Sequence, residues 1–206
     1  MKEKYKWLEI AQQLQSIAQA GLTYTENKYD LERYKQIMDL SKQIIMDFSA
    51  MSMEKLDMIF SMEKGYLTPK VDVRAVIFRG DKILLVKETI DGKWSLPGGW
   101  GDVGKTPSEV VEKEVMEESG LLVKAEKLLA VFDKKCHSHP PDIYYVYKLF
   151  FQCSEVGGAL ETGIETSEAG FFGRNEIPEL STERVTNSQI ELLFDLKAKP
   201  GPTLFD

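Results

Sequence analysis

Gly99-Trp100-Gly101-Asp102-Val103-Gly104-Lys105-Thr106-Pro107 runs directly into Ser108-Glu109-Val110-Val111-Glu112-Lys113-Glu114-Val115-Met116-Glu117-Glu118-Ser119-Gly120-Leu121. A glycine-rich loop thus enters a segment patterned as a helix over residues 107–119. Pro107 suits the first turn, where a missing N–H costs nothing, and Gly120 suits the C-terminal cap. Glu114 precedes Glu117 by three residues and Glu118 by four, so the three carboxylates project from neighbouring positions on one face. Like charges at these spacings repel, and a helix built for stability would alternate signs. One reading is a solvated acidic face. The other notes that the loop backbone can approach a ligand closely and that Val110, Val111 and Val115 make the opposite face apolar. Carboxylates gathered at a cleft suit hard cations with oxygen ligands, above all Mg2+ or Mn2+, which bridge them to phosphate oxygens.

Upstream of this stretch the periodicity is extended. Val71, Val73, Ala75 and Ile77 alternate with Asp72, Arg74, Val76 and Phe78, and Gly80-Asp81 then predicts a hairpin turn into Lys82-Ile83-Leu84-Leu85-Val86. Asp91-Gly92 marks another turn before Trp94-Ser95-Leu96-Pro97-Gly98-Gly99. Downstream, strands are expected over residues 125–134 and 143–153, a turn near Gly157-Gly158 and a last helix over residues 186–196. Strands mixed with two helices and no internal repeat indicate an α/β or α+β sandwich.

The first 65 residues have a different character. Trp7, Ile10, Ala11, Leu14, Ile17 and Ala18 line one face of a helix expected to end near Gly21. Thr23 and Glu26 have the spacing of a capping box for a second helix striped by Leu31, Tyr34, Met38, Ile45 and Phe48. Ser52 is placed to cap a third helix carrying Leu56, Ile59 and Phe60. Three short helices bury little apolar surface alone, so the Met-rich stripe reads as packing against the rest of the chain or against a second copy. Two parts are therefore expected: residues 1–65, helical, for packing and dimerisation, and residues 70–206, carrying the chemistry, with residues 65–69 as connector.

Composition narrows the function. The 206 residues are 43% hydrophobic and 29% charged, within the range of an ordinary folded domain and outside that of disordered or collagenous chains. With 26 Lys plus Arg against 33 Asp plus Glu, the net charge of -7 argues against a broad grip on nucleic acid, although a local basic groove for a short RNA stays open. Two cysteines, Cys136 and Cys153, make neither a structural zinc site nor a disulfide framework. No run approaches the roughly 20 apolar residues of a membrane span, and Met1-Lys2-Glu3-Lys4-Tyr5-Lys6 is not followed by an apolar secretory stretch. A cytoplasmic protein without membrane partners is expected.

The stretch from Gly99 resembles the signature of the Nudix hydrolases: Gly, five residues, Glu, seven residues, Arg-Glu, an apolar residue, any residue, Glu-Glu, any residue, Gly, and an apolar residue. Gly99, Glu114, Val115, Glu117, Glu118, Gly120 and Leu121 match it. Lys105 stands at the position of the first Glu and Lys113 at that of the Arg, so the family's pairing of loop acid with helix guanidinium cannot form between these two lysines. Retained catalysis with a differently braced loop is expected, and loss of activity, leaving a nucleotide sensor, is the alternative. The resemblance implies an α/β/α sandwich with a mixed sheet over residues 70–200. It also implies a site in which Glu114 and Glu118 bind Mg2+ or Mn2+, Glu117 binds or supports the metal, and the Gly98 carbonyl adds a ligand. Glu165 and Glu168 are the candidates for an acid supplied from outside the signature as general base.

The implied reaction is hydrolysis of a diphosphate bond in a nucleoside diphosphate linked to another group. Candidate substrate contacts are Arg74 and Asp102, which could equally pair structurally, together with His137 and His139. Cys136-His137-Ser138-His139 offers few and closely spaced metal ligands, so a loop at the mouth of the substrate cleft is the better reading. Tyr144, Tyr145, Tyr147, Phe150 and Phe151 read as strand residues, mostly core, with a ring such as Tyr145 available to stack on a base. The helical segment and the variant signature together resemble a bacterial subgroup of CDP-choline and ADP-ribose pyrophosphatases. The expected substrate is CDP-choline, giving CMP and phosphocholine, with ADP-ribose or a nucleotide sugar as runner-up, and the expected assembly is a homodimer.

Overall fold

The computed structural model describes residues 5–206, so the opening Met1-Lys2-Glu3-Lys4 lies outside the described residues. The chain forms two compact units: one comprises Met1–Pro69 with Pro141–Tyr145, the other Lys70–Pro140 with Val146–Asp206.

The first unit holds α1 (Lys6–Tyr24), α2 (Lys28–Phe48) and α3 (Met53–Ser61). Ala11, Ile45, Leu56 and Phe60 form its core, with Trp7, Met38, Ile59 and Ile143 packed against them. Buried polar groups there are satisfied: Ser41 Oγ donates to the Ala11 carbonyl at 2.7 Å, and the Gln12 amide donates to the Asp142 and Ile143 carbonyls at 3.1 and 3.2 Å. Those last two bonds tie residues 141–145 to this unit, an attachment no local pattern announces. Two sequence expectations change. Thr23 lies inside α1, its hydroxyl bonded to the Gln19 carbonyl, and Asn27 caps α2 instead by accepting from the Tyr29 and Asp30 amides. Gly21 does not end α1; a Cβ there would stand 2.4 Å from the Tyr34 ring, so glycine permits the close approach of α2. Ser52 caps α3 as expected.

The second unit contains two sheets. β1 (Lys70–Val76), β6 (Val146–Gly158), β5 (Leu121–Asp133) and β8 (Leu204–Phe205) make one, in that spatial order, with β1 parallel to β6 and β5 antiparallel to it. β2 (Phe78–Arg79), β3 (Lys82–Glu88), β4 (Trp94–Ser95) and β7 (Thr166–Gly173) make the other, centred on β3. The expected hairpin over residues 71–86 is therefore only its tip: β1 leaves for the first sheet, and just Phe78 and Arg79 pair with Ile83 and Lys82 around Gly80 at φ +58. Gly157 and Gly158 belong to β6, opposite Leu122 and Leu121, rather than to a turn, while Tyr144 and Tyr145 precede the strand.

α4 (Pro107–Ser119) buries Val110, Val111 and Val115 against Val73, Ala75, Leu84, Leu121 and Phe151. α5 (Asn187–Ala198) buries Ile190, Leu193 and Phe194 against Val76, Ile83, Leu85, Leu129 and Phe150. Alternate residues of the same strands feed the two cores, which gives the expected α/β/α arrangement. No helix among the described residues is long and apolar enough to cross a membrane.

Candidate active site

The site begins with how residues 97–101 lie on β1. The Val73 amide donates to the Gly99 carbonyl at 2.9 Å, the Ala75 amide to the Pro97 carbonyl at 2.8 Å, and the Gly101 amide to the Val71 carbonyl at 2.8 Å. Since successive peptide groups of extended chain face opposite edges, Gly98 turns its own polar groups away from β1 and towards α4. Its amide donates to Glu118 Oε2 at 2.9 Å. Glycine is required here, because φ is +144 and a Cβ would stand 2.0 Å from the Val73 carbonyl oxygen. On Gly99 a Cβ would stand 3.0 Å from Glu114 Oε2, so the loop backbone and the first signature glutamate are in contact.

α4 holds the acids rigidly. Thr106 and Glu109 form a reciprocal capping box, Pro107 occupies the first turn, and Gly120 closes the helix at φ +72 with its amide on the Met116 carbonyl. The last turn is clamped from outside: Thr166 Oγ1 donates to the Glu118 carbonyl at 2.7 Å and accepts from the Gly163 amide at 3.0 Å. Glu165, the neighbour of that clamp, has its backbone carbonyl held by the Thr89 amide and hydroxyl, and its side chain is exposed. Glu168 lies on β7 in an ion pair with Lys87 at 2.6 Å.

The three glutamates differ in environment. Glu118 is 6% exposed, and burial raises its pKa to about 8, opposed by Arg74 and the Gly98 amide and reinforced by Glu88 and Glu114. Glu114 is raised by burial too, with Lys113 opposing. Glu117 is the most open and lies 3.2 Å from Lys113 Nζ. Among the described residues no three acids, histidines or cysteines are gathered closely enough to cage a metal by themselves. What Glu114 and Glu118 present instead are two carboxyls that burial pushes towards their neutral forms beside a backbone edge, a donor set of hard oxygens whose ionised form becomes favourable when a divalent cation arrives. Such a cation fits these residues; the cysteines do not contribute, since Cys153 is buried beside apolar core and Cys136 lies on the other loop.

Arg74 and Asp102, expected at the substrate, both have protein partners. Arg74 is buried and forked onto Asp72, Nε to Oδ1 at 3.0 Å and Nη2 to Oδ1 at 2.8 Å, with Nη1 on the Leu96 carbonyl at 3.0 Å. Lys148, opposite Asp72 in the parallel register, closes on the same carboxylate, and burial lowers its pKa to about 8. Asp102 sits between Lys105 and Lys113. His137 Nε2 meets Asp206 at 3.2 Å. His139 Nδ1 lies 2.7 Å from the Thr182 carbonyl, which can only accept, so Nδ1 carries the proton. Burial, with Lys148 and Lys134 adding to it, lowers the His139 pKa to about 4, which leaves a neutral ring and makes Nε2 an acceptor. That Nε2 is itself enclosed and has no hydrogen-bond partner among the described residues, so the ring is not laid open to a ligand here. Tyr145 belongs to the segment grouped with the helical unit.

Sequence reasoning missed Glu88. It is 3% exposed, accepts from Ser95 Oγ at 2.6 Å and pairs with Arg184 Nε at 2.9 Å, and its charge acts on Glu118 and Arg74. Glu88 lies in phase with Leu84 and Val86, but β3 is buried on both faces, as is most of β1 with Asp72 and Arg74, so alternation alone did not single these residues out.

Residues 68–195 match the family model described as the NUDIX domain, and residues 5–60 match one described as a UDP-X-like, N-terminal oligomerisation domain. A Bacillus subtilis (strain 168) protein whose name provisionally assigns it as the ADP-ribose pyrophosphatase YjhB is 47% identical over 207 residues, covering 100% of both chains. The crystal structure of a UDP-X diphosphatase superposes with a TM-score of 0.65 at 33% identity, covering 98% of each chain. That of an ADP-ribose pyrophosphatase from Streptococcus suis 89-1591 has a TM-score of 0.62 at 42% identity, covering 68% of this chain and 100% of the other. An ordered glycine loop on β1, a capped helix presenting desolvated glutamates and these matches agree, and the chain belongs to the Nudix hydrolases, as an N-terminally extended member of that family.

Proposed function

We propose that the protein hydrolyses the diphosphate bond of a nucleoside diphosphate linked to another group, with Mg2+ or Mn2+, and that ADP-ribose is its best substrate. The observation that carries the chemistry is the desolvated Glu114 and Glu118 pair beside the Gly98 backbone edge. The substrate rests on the names borne by the full-length relative and by the Streptococcus suis structure. CDP-choline, favoured by the sequence resemblance alone, is the competing substrate.

Glu114, Glu118 and the Gly98 carbonyl would hold the metal, with Glu117 as a further ligand or its support. When bound, the metal neutralises phosphoryl oxygens and lowers the pKa of water. The chain's own residues do the remaining work. The Gly98 amide and the Thr166 clamp fix the side chain and backbone of Glu118 before substrate arrives, which lowers the reorganisation needed during reaction. Glu165, exposed beside that clamp, takes the proton of the attacking water. Water adds to one phosphorus, the bridging oxygen leaves with the other, and ADP-ribose gives AMP and ribose 5-phosphate. The helical segment joins two copies into a homodimer, as the description of its matching model supports.

Purified protein incubated with Mg2+ and ADP-ribose, UDP-sugars, CDP-choline or a short 5′-phosphorylated RNA, followed by phosphorus NMR, tests this. AMP from ADP-ribose at a kcat/KM at least about tenfold above the others is expected. Preferential CMP release from CDP-choline overturns the substrate, and no turnover of any compound overturns the enzyme reading.

A further inference from the structure

Lys105 and Lys113 occupy the positions at which the family signature has an acid and a guanidinium, so the loop lacks its usual acid at residue 105. The structure nevertheless ties the loop to the helix. Asp102 Oδ2 lies 3.4 Å from Lys105 Nζ and 3.3 Å from Lys113 Nζ. The Lys105 amide returns to the Asp102 carbonyl at 3.3 Å, with Gly104 at φ +90, and this turn brings a carboxylate from three residues upstream over the helix. Lys113 Nζ is shared further, at 3.5 Å from Glu114 Oε1 and 3.2 Å from Glu117 Oε2. We infer that Asp102 is a positioning residue: it replaces the missing loop acid as a partner of the Lys113 ammonium, ties the loop to α4, and shares with Glu114 and Glu117 a cation that would otherwise be theirs alone.

One exposed ion pair contributes little, but here a single carboxylate is shared by two cations and one of those cations by three carboxylates, so the contacts are coupled. Lys105 supplies a second positive charge beside Asp102 that an acid at 105 could not. Remove Asp102 and the nearest carboxylates left to Lys113 are the two signature glutamates. An ammonium seated there competes with a divalent cation for the same oxygens, and the loop loses its anchor to α4. The two consequences have separate readouts. This inference rests on the metal-dependent reading above, but its loop component does not.

The test uses the full chain and the variants Asp102→Ala, Asp102→Asn, and Asp102→Ala combined with Lys105→Glu, which restores an acid at the signature position. In the metal-free protein, amide exchange of residues 100–105 is expected to quicken about tenfold in both single variants, with α4 unchanged as internal control, and to return towards wild type in the double variant. With Mg2+ and ADP-ribose, the single variants should need about fivefold more Mg2+ for half-maximal rate and lose about tenfold in kcat, with KM within about threefold, and the double variant should recover. A rise confined to KM with no recovery in the double variant makes Asp102 a substrate contact and overturns the inference, as does unchanged exchange. If wild type hydrolyses nothing, the proposed function fails while the exchange measurement still decides the brace.

Discussion

Glu118 illustrates how a single residue sets stability against function. Its carboxyl ionises at about 4.5 when unfolded and at about 8 in the fold, where burial raises it. The folded state therefore binds more protons between those values, and stability must fall as pH rises through that window and level off above it. Glu118→Gln retains an oxygen to accept from the Gly98 amide but removes the charge. In chelator-treated protein the Gln variant should melt with wild type near pH 4.5 and about 5 °C or more above it at pH 8, read by calorimetry. Activity should move oppositely, falling at least about a hundredfold, as when a preorganised charge-stabilising group is removed. An identical pH dependence of melting in both proteins would show that Glu118 ionises normally.

At the scale of elements, the glycine loop and α4 act as one piece, and two glycines report different parts of it. Gly163 packs so closely on α4 that a Cβ would stand 1.9 Å from the Glu117 carbonyl oxygen, a backbone atom that cannot give way. Gly99→Ala meets only the Glu114 carboxylate at 3.0 Å. Gly163→Ala should accordingly destabilise the domain by about 2 kcal/mol or more in urea unfolding, whereas Gly99→Ala should unfold within about 1 kcal/mol of wild type yet lose most of its turnover. The capped α4, with its box, first-turn proline and closing glycine, was legible because each device is local to the sequence. What was not legible is instructive. The chain from Val71 to Phe78 alternates at first and then runs apolar from Ala75 to Phe78, and nothing in that pattern tells that it changes sheets at Ile77. Asp102 reads as one acid among many until the turn at Gly104 folds it over Lys113, and Glu88, Asp72 and Lys148 carry meaning only once their strands are neighbours.

For the molecule as a whole, the helical unit exposes a set of large apolar side chains, among them Ile17 at 56%, Leu40 at 55% and Phe48 at 63%, beyond what its small core of Ala11, Ile45, Leu56 and Phe60 uses. With the match to an oligomerisation domain, this supports association through residues 5–60. Sedimentation equilibrium at micromolar concentration should give twice the mass of the chain, and replacing Ile17 and Leu40 together by Asp should give monomer with helix content retained. A wild-type monomer refutes the dimer. Where the sequence left the substrate open between CDP-choline and ADP-ribose, the reason is physical: the placement of a loop such as residues 134–140, read from the sequence as a candidate for substrate contact, depends on long-range partners like Thr182 and Asp206.

The buried Glu118 also couples two currents that are usually considered apart. Burial raises its pKa to about 8, which favours the protonated form near neutrality, so a divalent cation held at that oxygen would displace a proton. On the metal-binding role proposed for Glu118, acidification and cation depletion would act alike at this one oxygen, each favouring its neutral, metal-free form, so that occupancy would follow cation and proton together rather than either alone.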